Sequence, residues 1–478
     1  MKRTTTLSIL VIALIALGGV LLQLLVFQQP QHCGGSSSSS TILRSDLNYV
    51  RFGAVRKYRL PSSRAPNAIT LASDGSVWFG EQALPGVAHL YPNGTLLEYR
   101  WPFQYNSPGL PGLTFTWGIA LWKGCVWASD QAGSQLVAVD PATRSTKTIK
   151  LGTGSFPYTL TVGPDDSLWF TEVFASKIGR VDSQFRLHEY SLPVPGTPAQ
   201  IVFANSSLGY YVDTGNVGFV APAVYSFNPN NFSPVQMYSN GMKLLAPTSL
   251  ALVKNGLWVA QHASSNLAYY NFENHVWSQY PTTPVNYVQT NLQYFVAANG
   301  SLIWFNEHYA NRIGVIDTQH GLLTEYSVSN PPANKTTEID NALTFAVGKD
   351  KVWFTELTTN YVGYVDASGP QSFSFQPATN ATLRLPLGGE TSVKLILEGT
   401  TDKPLRILLS DSETLTARPE QITLNLSEAE IGSLNGQAIV TLNLATRATT
   451  VPGDYTLLIS VTDGLVTQGI YLKLHVSQ

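Results

Sequence analysis

One short hydrophobic pattern recurs seven times along the first three quarters of the chain. Each copy has an apolar residue, then Trp-Phe or a relative, then a small residue and a polar residue. Its second position is Trp78, Trp127, Trp169, Tyr210, Trp258, Trp304 and Trp353. Consecutive copies lie 41 to 49 residues apart, which is the length of a four-stranded propeller blade. The pattern therefore predicts an all-β, seven-bladed β-propeller over residues 51–370.

Other alternating segments supply the remaining strands of each predicted blade. An apolar strand precedes each copy, and two more strands follow it. The last blade lacks a fourth strand, and residues 55–61 resemble the missing one, so we expect the N-terminal strand to close the ring and remove an open edge. Residues 372–375 are the competing candidate.

The composition changes after residue 370. Leu, Val and Thr alternate in short segments at 393–397, 405–409, 422–425, 438–442, 455–461 and 470–476, with one more expected near Phe373. About seven strands over this length are typical of a β-sandwich. We expect an immunoglobulin-like sandwich over residues 371–478.

The N-terminus has the pattern of a membrane anchor. Residues 7–27 are apolar apart from small residues, Ser8 and Gln23, and Lys2 and Arg3 precede them. That length can span a bilayer, and the charge places the rest of the chain outside the cytoplasm. We expect a signal anchor or transmembrane helix in residues 1–29, a Gly/Ser-rich flexible linker in 30–50, and an extracytoplasmic bulk.

Composition narrows the possible functions. The chain has 478 residues, 44% of them hydrophobic, which excludes disorder as its main state. Its net charge is -2, so the chain as a whole has no electrostatic field that would attract nucleic acid. Two cysteines cannot build a disulfide framework or a multi-thiolate zinc site; Cys33 leaves lipid attachment open, and Cys125 is expected in the core.

Asn-x-Ser/Thr sequences permit glycosylation without proving it, at Asn93, Asn205, Asn231, Asn299, Asn334, Asn380 and Asn425.

The polar residue that ends each copy is the first candidate for chemistry. It is Glu81, Asp130, Glu172, Asp213, Gln261, Glu307 and Glu356. Strand alternation places these residues near one mouth of the ring, where they could give a negative potential that attracts a cation. The alternative is that each acid accepts hydrogen bonds from turn amides and fixes its blade.

Several phrases resemble the virginiamycin B (streptogramin) lyase family. They lie at residues 168–172, 177–182, 188–193 and 312–317, and the resemblance covers about residues 54–368. It implies a propeller, and an enzyme that opens a cyclic depsipeptide by elimination with Mg²⁺, a histidine base and acidic residues. In the family the key histidines follow a proline at the start of an inner strand. The corresponding phrases here, which begin near residues 66, 116, 157, 198, 247, 291 and 341, contain no histidine.

Only two of the seven copies have a histidine directly after the polar residue, at His262 and His308. The resemblance places a catalytic acid of the lyases at this position in one blade. We therefore expect His262, Glu307, His308 and Glu356 to line a polar or divalent-metal site, with Mg²⁺ as the candidate cofactor. Trp117 and Tyr158, at inner-strand starts, are candidates for a stacking surface, whereas the six repeated tryptophans should pack between blades.

These features favour a non-catalytic, membrane-anchored binding module. Its partner would be a small molecule, peptide or protein on the propeller face that carries the acids. A metal-dependent lyase with a rearranged site is the alternative, and a structural cell-surface component is the second alternative.

Overall fold

The computed structural model describes residues 33, 35, 37–44, 47–61, 64–102, 116–215, 220–237, 242–285, 291–329, 342–378, 382–411 and 422–478. Over these residues the chain is all-β, as predicted, and every regular element is a strand. No helix in this part of the chain is long and apolar enough to cross a membrane. The predicted membrane segment, residues 7–27, lies outside the described residues.

Short N-terminal strands come first: β1 (Ser37–Ser38), β2 (Ser40–Arg44), β3 (Tyr49–Phe52) and β4 (Val55–Arg59). Three groups of four antiparallel strands follow in chain order, and β2 and β1 each add a fifth strand to the first and second of these sheets. They are β5 (Pro66–Leu71), β6 (Val77–Glu81), β7 (Gly86–Leu90) and β8 (Leu96–Arg100); β9 (Ile119–Trp122), β10 (Cys125–Asp130), β11 (Gln135–Val139) and β12 (Ser145–Lys150); and β13 (Pro157–Val162), β14 (Leu168–Glu172), β15 (Lys177–Val181) and β16 (Leu187–Ser191).

Four further sheets repeat this arrangement. They are β17 (Pro198–Asn205), β18 (Leu208–Asp213), β19 (Ala223–Phe227) and β20 (Val235–Met237); β21 (Pro247–Val253), β22 (Gly256–Gln261), β23 (Asn266–Asn271) and β24 (Trp277–Pro281); β25 (Gln293–Asn299), β26 (Leu302–Glu307), β27 (Arg312–Asp317) and β28 (Leu322–Ser327); and β29 (Ala342–Val347), β30 (Lys351–Glu356) and β31 (Tyr361–Asp366) with β4.

The first strands of neighbouring sheets contact one another around a closed circuit. β5, β9, β13, β17, β21, β25 and β29 follow in this order, and β29 contacts β5 again. We call the end at which these strands begin and the second strands end the upper face. The opposite end, the lower face, holds the turns that join first to second and third to fourth strands.

Six repeated tryptophans pack between neighbouring sheets, as predicted. All are buried, and each shares a hydrophobic cluster with the sheet that follows it. Trp78, for example, packs with Ile119 and Val126, and Trp353 packs with Ile69 and Val77. The repeat position is therefore set by packing between sheets.

The N-terminal strand β4 completes the seventh sheet. It pairs antiparallel with β31, from Arg59 opposite Tyr361 to Val55 opposite Val365, which confirms the predicted closure. The competing segment instead lies in the C-terminal region, where Phe373 begins a strand paired with Gly399.

The prediction of a flexible linker over residues 30–50 is wrong for its serine-rich part. β1 pairs with the outer strand β12, and β2 pairs with the outer strand β8. The physical reason is that the outer strands expose unpaired N–H and C=O groups, which a polar segment can satisfy with its backbone regardless of its side chains. Residues 37–44 thus add a strand to the outer edge of each of two sheets.

Cys33 forms a disulfide with Cys125, whose Cα lies 6.2 Å away at the start of β10. Cys125 is buried, as predicted, and Cys33 is fully buried beside it. The pairing was not predicted, because 92 residues separate the two cysteines and no local pattern connects them. Since Sγ of Cys33 is bonded in the disulfide, it is not available for lipid attachment.

The C-terminal residues form two sheets over one hydrophobic core. The strands are β32 (Phe373–Pro377), β33 (Thr382–Pro386), β34 (Glu390–Thr401), β35 (Leu405–Asp411), β36 (Ile422–Leu426), β37 (Glu430–Ile431), β38 (Leu434–Thr446), β39 (Gly453–Thr462) and β40 (Val466–Ser477). All predicted strand segments are present, and β33 and β37 are additional.

The sixth sheet continues into the C-terminal region. β28 pairs antiparallel with β40, so that one sheet runs from β25 to β37. Side chains reinforce the contact: the hydroxyls of Thr283 and Ser460 are 2.7 Å apart, and the Tyr471 hydroxyl donates to the Pro281 carbonyl at 2.9 Å. The C-terminal sheets are therefore joined to the ring by backbone pairing.

Candidate functional site

Three aromatic side chains meet at the upper face. Trp117, Tyr158 and Tyr294 come from the second, third and sixth sheets, each at the start of a first strand. The Trp117 ring lies 5.2 Å from the Tyr158 ring and 5.7 Å from the Tyr294 ring, and the two tyrosine hydroxyls form a hydrogen bond. We call these three residues the aromatic cluster. It joins sheets that are distant in sequence, so it lies across the ring.

Two histidines lie against this cluster. His262 and His308 each follow the last residue of a second strand, and their Nε2 atoms are 2.9 Å apart with the rings nearly parallel. We call them the histidine pair. At this distance one Nε2 must donate a proton and the other accept it, so the two rings hold opposite tautomers.

Tyr294 connects the two groups. Its ring lies edge-on to His262 at 5.0 Å and to His308 at 5.7 Å between centroids. The sequence predicted Trp117, Tyr158 and both histidines as candidates but missed Tyr294. The available signal was its place in the repeat. Gln293 pairs with Glu307 as Pro157 pairs with Glu172, so Tyr294 is the equivalent of Tyr158.

Burial keeps three of these side chains neutral at neutral pH. Desolvation raises the pKa of Tyr294 to about 12 and raises that of Tyr158 well above its usual value, so both hydroxyls keep their protons. Burial also lowers the pKa of His262. Tyr158 and His308 are themselves buried, with exposures of 8% and 5%, whereas Trp117, Tyr294 and His262 are partly exposed. These three side chains offer aromatic rings beside an imidazole, which suits a ring-bearing ligand that also forms hydrogen bonds.

The predicted ring of acids does not line an open mouth. All seven side chains are buried, with exposures of 0 to 2%. They are Glu81, Asp130, Glu172, Asp213, Gln261, Glu307 and Glu356. Strand pairing places them on the second strand of each sheet, where burial and internal contacts prevent the solvent-facing potential that the sequence suggested.

Most of these side chains have partners within their own sheets or turns. Asp130 accepts from the Gly133 amide at 2.9 Å, and Asp213 accepts from the Thr197 and Gly215 amides at 2.8 Å. Others pair with cations: Glu81 with Arg100 and Glu356 with Lys57. Gln261 accepts from the Leu245 amide at 3.0 Å. These contacts are those of the alternative interpretation, in which each polar residue fixes its sheet.

Two of the buried acids titrate unusually. Burial, and after it the neighbouring Glu189, raises the pKa of Glu172 to about 8. Burial and the neighbouring Glu325 raise the pKa of Glu307 to about 8, although Arg312 lies nearby. Both carboxyls are consequently protonated at neutral pH, which makes them poor cation ligands.

Of the four residues predicted to line a metal site, only the two histidines contact each other. His262 and His308 are in contact, but Glu307 accepts from Asn291 at 2.9 Å, and Glu356 accepts from Lys57 at 2.9 and 3.0 Å. Within the described residues, no group of three or more His, Cys, Asp or Glu side chains could hold a metal ion. These residues therefore do not fit the Mg²⁺ site that the family resemblance implied.

Comparison with known proteins supports the predicted resemblance. Residues 54–216 match the Virginiamycin B lyase family. A virginiamycin B lyase from Nocardia farcinica is 25% identical over 132 residues, which cover 28% of this chain and 43% of that relative. The match thus spans less than half of the relative's length.

Two solved structures resemble the chain over a larger part of its length. A streptogramin B lyase has a TM-score of 0.53 and 21% identity, covering 65% of this chain and 96% of that one. A catalytically inactive virginiamycin B lyase from Staphylococcus aureus with quinupristin has a TM-score of 0.54 and 18% identity, covering 68% and 99%. At these identities the likeness concerns the fold, which is a virginiamycin B lyase-like propeller.

Proposed function

Starting from a virginiamycin B lyase-like propeller, we propose that this chain is a binding module that holds its ligand on the upper face. The ligand would stack on the aromatic cluster and form hydrogen bonds with the histidine pair. The observation that carries this proposal is the contact of both groups through Tyr294, while the seven predicted acid-ring residues are buried. The ligand class that fits is an uncharged molecule with at least one planar ring.

The inner-strand positions argue against the lyase reaction as the family resemblance implies it. These positions, each the second residue of the first strand or its equivalent, hold Asn67, Trp117, Tyr158, Ala199, Thr248, Tyr294 and Leu343. Aromatic, apolar and uncharged polar side chains thus stand where the resemblance would place histidines. A general base must reach the proton that it removes, and these side chains are not bases.

A lyase-like enzyme with a rearranged site is the second candidate. The histidine pair favours it, because with both imidazoles uncharged the ring that donates through Nε2 keeps an unprotonated Nδ1 that could accept a proton. This candidate needs a base on the second strands instead of the first.

We further propose that the seven sheets are seven blades of one ring and that the C-terminal sheets form an immunoglobulin-like sandwich. The circuit of first-strand contacts supports the first proposal. Two sheets that enclose one hydrophobic core support the second.

Placement outside the cytoplasm, with anchoring through residues 7–27, is also a proposal. The Cys33–Cys125 disulfide supports it, because such bonds persist in oxidising compartments. In that setting, the second alternative is a structural surface component, in which the C-terminal sheets make the contacts.

A ligand test separates the lyase from the two non-catalytic functions. The full chain is incubated with quinupristin with and without Mg²⁺, and products are followed by chromatography and tandem mass spectrometry, since ring opening by elimination conserves mass. We expect intact quinupristin. A linear product would overturn the non-catalytic proposal and support the rearranged lyase.

A further inference from the structure

Four Asn-x-Ser/Thr sequences lie on the same side of the ring. We propose that Asn93, Asn205, Asn231 and Asn299 carry N-linked glycans, which cover the lower face. The proposal does not depend on what the upper face binds. It requires that the chain is exported to a compartment in which asparagine is glycosylated.

Strand order fixes the placement of these asparagines. Asn93 lies in the turn between β7 and β8, and Asn231 lies between β19 and β20. Asn205 and Asn299 are the last residues of the first strands β17 and β25. Turns between first and second strands and between third and fourth strands all lie on the lower face, and all four asparagines are exposed.

The turn geometry presents the acceptor side chain to solvent. The Asn93 side-chain oxygen accepts from the Thr95 amide at 2.9 Å, and the Asn205 side-chain oxygen accepts from the Ser207 amide at 2.8 Å. These bonds engage Oδ1, whereas a glycan is attached through Nδ2. In the transfer, the Nδ2–C1 bond forms and the C1–O bond to the phosphate of a lipid-linked sugar donor breaks. Nδ2 loses a proton, and the phosphate leaves with the electron pair.

Asn93 has an additional feature that suits a sugar. It lines a cleft together with Asn48, Tyr49, Arg56 and Tyr58. The Tyr49 ring is 55% exposed, and the Arg56 guanidinium lies over it at 3.8 Å. The apolar face of a first sugar residue could pack on this ring, while its hydroxyls reach the polar groups of the cleft.

The remaining sequences of this type are not part of the proposal. Asn425 lies within β36, which is paired with β38, so its backbone is extended. Asn334 and Asn380 lie outside the described residues.

The direct test is mass spectrometry of glycopeptides from the full chain purified from its natural source. We expect the peptides that contain Asn93, Asn205 and Asn299 to carry sugar masses, with Asn231 as the fourth site. Bare peptides at these positions would overturn the proposal, as would sugar found on Asn425 alone.

Variants of the Asn93 turn separate glycan loss from damage to the turn. Thr95→Ala destroys the acceptor sequence but keeps the backbone amide that bonds Asn93, and Thr95→Ser keeps both. We expect the sugar mass in Thr95→Ser and its complete loss in Thr95→Ala. Asn255→Gln is the matched control, because Asn255 is an exposed lower-face turn residue without the acceptor sequence; its glycan mass should equal that of the wild type. Equal glycan mass in Thr95→Ala and wild type would refute Asn93 as a site.

Discussion

Loss of the Cys33–Cys125 disulfide should lower the free energy of unfolding substantially. The bridge closes a loop of 92 residues and attaches the segment before β1 to the second sheet. The chain-entropy relation gives about 16 cal/mol/K for a loop of this length, which is about 4.6 kcal/mol near room temperature. Cys33→Ala is the preferred variant, because Cys33 lies before the first strand, whereas Cys125 begins β10; both side chains belong to one buried cluster, so either truncation also leaves a small cavity.

Urea unfolding followed by tryptophan fluorescence measures this loss. The wild type in reducing agent should lose about as much stability as Cys33→Ala, and reducing agent should not change the variant. A variant that differs from the oxidised wild type by less than about 1 kcal/mol would refute the reasoning, because loop closure in the unfolded chain would then contribute little.

Three further changes test buried contacts of the ring. Tyr294→Phe should lower the free energy of unfolding by about 1 to 3 kcal/mol, because it leaves the Tyr158 hydroxyl buried without its partner. In urea unfolding, the double variant Tyr158→Phe/Tyr294→Phe should lose less than the sum of the two single losses, and strict additivity would contradict this. The wild-type free energy of unfolding should fall as pH rises from about 5 to 8, because folded Glu307 and Glu172 each retain a proton that the unfolded chain releases. Each carboxyl contributes up to about 1.4 kcal/mol per pH unit. Glu307→Gln should remove the share of Glu307 and make the slope less steep, and an unchanged slope would contradict it. Lys57→Met should cost about 3 to 5 kcal/mol by removing the cation beside buried Glu356, and an unchanged urea midpoint would refute that estimate.

The repeated hydrophobic pattern was enough to predict the ring strands, because every copy meets the same packing requirement. Trp78 and its equivalents each fill the space between two sheets, so selection for packing leaves the same residue type at the same interval. Closure by residues 55–61 was predictable for a similar reason, since the missing strand had to resemble its equivalents.

Contacts that no repeated pattern marks could not be predicted. The serine-rich strands β1 and β2 have no strong β pattern of their own and depend on the exposed edges of β12 and β8. The contact of β28 with β40 likewise depends on an edge that the local sequence does not mark.

Four of the five residues of the candidate site were named from the sequence, but their arrangement was not. His262, His308, Trp117 and Tyr158 each stood out because they departed from the repeat. Their assembly around Tyr294 depends on the closure of the ring. The acids are repeated for a different reason. Nearly every copy has one because each sheet needs the same buried polar contacts, which is the structural alternative that the sequence also offered.

The most direct test of the central claim compares ligand binding in the wild type and Trp117→Ala. A set of uncharged, ring-bearing compounds that includes quinupristin is screened by thermal stabilisation of the full chain. We expect compounds that stabilise the wild type to lose most of that effect in Trp117→Ala. Trp101→Phe, which alters a buried tryptophan that follows β8, should retain it. Equal stabilisation of the wild type and Trp117→Ala, or no stabilisation by any compound, would contradict a binding site on the upper face.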